Sequence, residues 1–130
     1  NEIEKNIYDE TSLFYPDSDF RELIKYNDGA IHDTELYNRL TDKKNHYYSY
    51  LYTALYLKEI ESQWKKSGFD VSKRPDVLVT LFNLGFKASI PKSDPKVAGS
   101  VITIGGKKYS FGTLGTLFYD SNELVDVFYR

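Results

Sequence analysis

Carboxyl groups are the side chains of this sequence best supplied for chemistry. Delivering a proton to the leaving oxygen of a glycosidic bond at near-neutral pH needs a carboxylic acid in surroundings that disfavour its charged form. Among 19 Asp and Glu, Glu10 stands in such a context. It follows Ile7 and Tyr8, precedes Leu13, Phe14 and Tyr15, and falls where a short helix would end at Pro16. Most glycosidases add a second carboxylate as nucleophile or base. Transfer reactions that use the sugar's own substituent need one acid only.

Other chemistries are thinly supplied. Two histidines, His32 and His46, fall short of the three or four ligands that zinc wants. No nucleophile-elbow pattern supports a Ser-His-Asp triad, and without cysteine there is no thiolate or disulfide. Gly105, Gly106, Gly112 and Gly115 fit neither a dinucleotide nor a phosphate loop, since no buried strand leads into a helix there. They read as turn glycines. Neither metal nor cofactor is expected.

The elements that must position these groups are mostly helical. Asp17-Ser18-Asp19 ahead of Phe20, Leu23 and Ile24 reads as a helix start, with a stop at Asp28-Gly29. A second start stands at Asp33. The strongest element spans about Asn45 to Ser67. Tyr50, Ala54, Leu57, Glu61 and Trp64 recur at helical spacing beside a ridge of Tyr47, Leu51 and Leu55. Its first half is apolar nearly all round, which predicts burial on most sides. Its second half, with Lys58, Glu59, Glu61, Gln63, Lys65 and Lys66, reads as amphipathic, and Gly68 ends it.

A further buried helix begins near Ser72, with Pro75 in its first turn, an apolar face of Val77, Leu78, Leu81, Phe82 and Leu84, and Gly85 as its stop. Ile90 to Pro95 must be loop. Gly105-Gly106 between Val101–Ile104 and Lys107–Ser110 is the clearest hairpin signal. Helical or turn-like segments follow around Leu114–Tyr119 and Glu123–Tyr129. With no repeat or linker, residues 1–130 read as one domain, mainly α with one small β-hairpin near residues 101–110.

Bulk properties narrow the partners. The 130 residues are 41% hydrophobic and 28% charged, neither disordered nor membrane-spanning in composition. The longest apolar stretch, Tyr47 to Leu57, is far short of the ~20 residues a bilayer demands. A net charge of −2 with scattered lysines argues against nucleic acid, which needs a clustered positive face. A start at Asn1 without Met reads as a cut or processed product and leans towards export. The 12 Tyr and 8 Phe serve either a core or a surface where rings stack on sugar faces and hydroxyls bond their substituents.

Two stretches then point to a family. Leu81-Phe82-Asn83-Leu84-Gly85, after Arg74-Pro75, resembles the Ala-Tyr-Asn-Ala-Gly segment of lytic transglycosylases of the lysozyme superfamily. Ala54-Leu55-Tyr56-Leu57 is similar to that family's Gly-Ala-x-Tyr-Leu stretch. Upstream, Glu10-Thr11-Ser12-Leu13-Phe14-Tyr15-Pro16 resembles its catalytic Glu-Ser-x-Phe-x-Pro with one extra residue. The separation of 73 positions from Glu10 to Asn83 agrees with the family's spacing.

The resemblance covers about Glu10 to Gly85. It implies a lysozyme-like helical domain with a sugar groove, cleaving the bond between N-acetylmuramic acid and N-acetylglucosamine in peptidoglycan, outside the cytoplasm. Glu10 would be the general acid/base, and Phe82, Asn83, Tyr56 and Tyr15 would bind substrate, with Phe82 and Asn83 near the sugar's N-acetyl group. Two departures accompany it. The family's Gly-Leu-Met-Gln segment has no counterpart, its place being taken by Asp28 to Asp33, and Phe82 stands where the family has a tyrosine. These departures favour an alternative, an inactive lysozyme-like module that holds cell-wall glycan or a protein partner. A protein-interaction domain unrelated to sugar is a third reading, since tyrosines are common at interfaces.

Overall fold

In a computed structural model, which describes residues 1–27, 32–121 and 123, the chain is mostly helical with one small two-stranded antiparallel sheet. The expected class, mainly α with a hairpin, is what the chain adopts. Although the sequence carries no linker, its residues group into two compact units, Asn1–Lys66 and Ser67–Arg130.

The first unit holds α1 (Glu2–Tyr8), α2 (Arg21–Ile24), α3 (His32–Thr41) and α4 (Tyr47–Lys66). Asn1 caps α1 by accepting from the Glu4 N–H at 3.0 Å, and the helix ends at an extended Asp9. Asp19 behaves as the sequence suggests, its Oδ1 accepting from the Arg21 N–H at 3.0 Å, but α2 is a single turn. Its expected stop at Asp28-Gly29 lies outside the described residues. At the start of α4, Asn45 Oδ1 accepts from the Tyr47 N–H at 3.0 Å. Ile7, Ile24, Tyr52 and Leu55 form the apolar centre, with Ile3, Phe20, Leu36, Tyr48 and Leu51 packed around them.

The extent of α4 agrees with its periodicity, and its buried face does not. Tyr47 and Tyr50 are 52% and 73% exposed, so the apolar first half is not buried on most sides. The buried stripe is Tyr52, Leu55, Tyr56, Glu59, Ile60, Ser62, Gln63 and Trp64. Tyrosine explains the difference, because its hydroxyl lets a large ring remain in water. The two ridges counted from Tyr47 and Tyr50 therefore start in water and reach the core only at Leu55 and Trp64.

In the second unit α5 (Pro75–Leu84) packs on α6 (Phe111–Asp120), with a 3-10 turn at Phe86–Ala88 and strands β1 (Val101–Ile104) and β2 (Lys107–Ser110) between them in sequence. Pro75 opens α5 and Gly85, at φ 91°, closes it, as the sequence predicts. The hairpin pairs Ile104 with Lys107, and Gly105 and Gly106 take φ 56° and 80°, the positive pair that a type I′ turn requires. Ser110 caps α6 by accepting from the Thr113 N–H at 3.0 Å. The segment expected at Glu123–Tyr129 lies, Glu123 apart, outside the described residues.

Gly112 and Gly115 are not turn glycines. Both sit inside α6, one turn apart, where the helix meets α5. A Cβ on Gly112 would stand 2.8 Å from the Val97 carbonyl oxygen and 3.1 Å from that of Asp76, and one on Gly115 would stand 2.9 Å from Val79 Cγ2. Alanine raises helix propensity by up to ~1 kcal/mol, but a backbone carbonyl cannot move aside as a side chain can. Overpacking therefore wins at Gly112. Gly112→Ala is expected to destabilise the second unit by roughly 1–2 kcal/mol; a higher melting temperature by circular dichroism would refute the tight α5–α6 seam.

Candidate functional site

Glu10 sits on the turn that follows α1, not at the end of a helix reaching Pro16. Its side chain is 65% exposed, and Arg21 Nη1 donates to its Oε1 at 3.2 Å. The same guanidinium grips Asp19, with Nε to Oδ1 at 2.9 Å and Nη2 to Oδ2 at 2.6 Å, holding the Asp19 carboxyl down at about 2. The apolar pocket expected around Glu10 is missing because its neighbours do not close over it. Tyr8 and Leu13 are 52% and 58% exposed. Glu10 belongs to a solvated ion cluster.

The dry carboxyl of this unit is Glu59. The sequence places it on the polar side of α4, yet it is fully buried. Asn6 Nδ2, reaching across from α1, donates to Glu59 Oε2 at 2.9 Å. Oε1 has no hydrogen-bond partner. Burial raises its pKa to about 8, and the Asn6 hydrogen bond only partly opposes that rise. Behind it, Ser12 Oγ donates to Asn6 Oδ1 at 3.0 Å and accepts from the Phe14 N–H at 3.1 Å. The chain Phe14–Ser12–Asn6–Glu59 thus ties the turn after α1 to the middle of α4. This acid holds its proton at neutral pH, but nothing in its enclosed position offers a substrate access.

Tyr56 and Tyr15, the two tyrosines implied as substrate contacts, have structural environments. Tyr56 is 8% exposed, and burial foremost, then the charges of Glu2 and Glu59, push its phenol up to about 12. The Tyr15 carbonyl accepts from Ser62 Oγ at 2.6 Å and Lys66 Nζ at 2.5 Å, which anchors the post-α1 segment to the end of α4. In the second unit, Phe82 and Asn83 are adjacent on α5 and both are exposed, Phe82 to 42%, while Val77, Thr80 and Leu81 face inward. Successive side chains of a helix point about 100° apart, so the ring and the amide occupy adjoining parts of its exposed side.

Two further clusters are absent from the sequence reading. Glu4 accepts from the hydroxyls of Tyr26 and Tyr52, the latter at 2.7 Å. Burial pushes the Glu4 carboxyl up, but these two bonds and the terminal ammonium outweigh it and leave the carboxyl below its usual value. Arg39 is 8% exposed and lies over the rings of Tyr26 and Tyr48, 4.3 and 4.5 Å from their centroids. Arg39 has one visible signal in the sequence, Glu35 four residues earlier on the same helix. Glu59 has another: it continues the three- and four-residue steps of Tyr52 and Tyr56.

Among the described residues no group of three or more His, Cys, Asp or Glu is placed to hold a metal ion, and no helix is long and apolar enough to cross a membrane. Compared with protein-family models, with curated proteins and with solved structures, the chain finds no match.

Proposed function

We propose that this chain is a lysozyme-like module that holds the glycan strand of bacterial peptidoglycan. The observation that supports it best is the pair Phe82 and Asn83, exposed together on a helix whose other face is buried. An exposed ring stacks on a pyranose face, and an adjacent amide both donates to and accepts from an acetamido group. The motif resemblance around Leu81–Gly85 converges on the same two residues. Such a ligand implies a location outside the cytoplasm.

Cleavage with Glu10 as proton donor draws no support from its surroundings. The Glu10 side chain stands in water and pairs with Arg21, with no apolar wall around it. Holding is the better-supported activity.

Purified sacculi test the reading directly. Wild-type protein should co-sediment with them and release no soluble muropeptides, and Phe82→Ala should weaken binding about tenfold, the worth of one aromatic contact. Absence of co-sedimentation refutes glycan binding. Release of anhydromuropeptides by wild type but not by Glu10→Gln would restore the cleaving enzyme.

A further inference from the structure

We propose that Glu59 fastens α1 to α4 only while its carboxyl carries a proton, so that the seam between these helices is a pH-sensitive latch. The geometry has three parts. Glu59 is fully buried, its single hydrogen-bond partner, Asn6, belongs to the other helix, and its second oxygen is unpartnered. A neutral acid is tolerated there at the cost of one unmet hydrogen bond. A carboxylate would be a buried charge with one neutral amide for company, and such charges are strongly disfavoured.

Among the described residues, Asn6 supplies the hydrogen bond to this carboxyl. Asn6 comes from α1, with Ser12 behind it. Tyr56 lies one turn earlier on α4, its phenol raised to about 12 by burial and by Glu2 and Glu59. The other end of α1 is held separately. There Glu4 receives Tyr52 and Tyr26, whose own pKa values are pushed up by burial, that of Tyr26 to about 12, and pairs with the Asn1 ammonium at 3.2 Å. The phenols therefore stay neutral over the range in which Glu59 changes. The part of α1 that lets go is its last turn, Asn6 to Tyr8.

The direction follows from linkage. Glu59 ionises near its ordinary value of 4.5 when α1 is lifted and only at about 8 when the seam is closed. Between those two values the open form is favoured progressively by rising pH, and beyond about 8 the effect levels off.

Amide hydrogen exchange on the whole chain tests the latch. After correction for the intrinsic dependence of exchange on pH, protection of the Asn6, Ile7 and Tyr8 amides should fall steeply from pH 5 to pH 8, approaching tenfold per pH unit. Glu59→Gln keeps the shape, the Asn6 contact and the terminal ammonium but cannot ionise, so its protection should be flat over that range. Equal slopes in the two proteins would overturn the proposal. Should the variant fail to fold, the carboxyl carbon resonance of Glu59 in wild type decides alone. A midpoint between pH 7 and 9 supports the latch, and one between 4 and 5 overturns it.

Discussion

Arg39→Ala lowers the unfolding free energy of the first unit by roughly 3–5 kcal/mol, the usual cost of removing one partner from a buried charge network. The guanidinium donates to the Ile24 carbonyl at 2.8 Å, to the Lys25 carbonyl at 2.6 Å and to Glu35. Ile24 and Lys25 stand at the end of α2, a helix too short to satisfy its own carbonyls. Alanine would strand both oxygens and the Glu35 carboxylate, and would empty the slot between the Tyr26 and Tyr48 rings. Lysine does not substitute, because a point ammonium lacks the planar fork that serves several acceptors while lying on two rings. Arg39→Lys should recover less than half of the loss. Trp64, the one tryptophan of the chain and 1% exposed, lets urea unfolding of this unit be followed by fluorescence. A cost below ~1 kcal/mol for Arg39→Ala would mean that α2 is held by its apolar contacts alone.

The second large effect is a decline of stability with rising pH. A carboxyl at about 8 in the folded chain and 4.5 when unfolded binds more protons folded, so unfolding becomes easier as pH rises between those values. The slope is of order 1 kcal/mol per pH unit. On the acid side the sign reverses. Asp9, Asp17 and Asp19 are held below 3.8, Asp19 at about 2, by hydrogen bonds from Thr11, Lys65 and Arg21, so what they contribute is lost as pH falls below that range. Stability of the first unit should therefore peak near pH 4 to 5. Urea midpoints of Trp64 fluorescence at pH 5, 6.5 and 8 should fall steadily in wild type and stay nearly level in Glu59→Gln. A wild-type midpoint that rises over this range would refute the raised Glu59.

Elements with strong local punctuation were legible in the sequence. Pro75 and Gly85 bracket α5, and Gly105-Gly106 fixes the hairpin, because proline at a first turn and paired glycines at positive φ have few alternative uses. The extent of α4 could also be read, from its periodicity. What the one-dimensional pattern does not encode is which side of a tyrosine-rich helix faces inward, since tyrosine is at home on either side. That ambiguity hid Glu59, which looks like one more solvated charge until the face is known. It also made Glu10 look enclosed: apolar neighbours in sequence make a pocket only if they fold over the carboxyl, and Tyr8 and Leu13 turn to water. On α5 the apolar run assigns Phe82 and Leu84 to the buried face with Val77 and Leu81, yet they lie 42% and 48% exposed, because the helix turns only Val77, Thr80 and Leu81 inward. Arg39 was legible only through Glu35, because its other two acceptors are backbone carbonyls, which no residue type announces.

The hairpin carries an asymmetry with a colloidal consequence. β2 presents Lys107 and Lys108, charges that discourage a second chain from adding a strand. β1 is Val-Ile-Thr-Ile, with Val101 and Ile104 57% and 51% exposed, and no charge of its own. In the described sheet β1 pairs on one side only. At high protein concentration the outer rim of that strand is where copies of the molecule would begin to adhere, and its protection rests on dilution more than on repulsion.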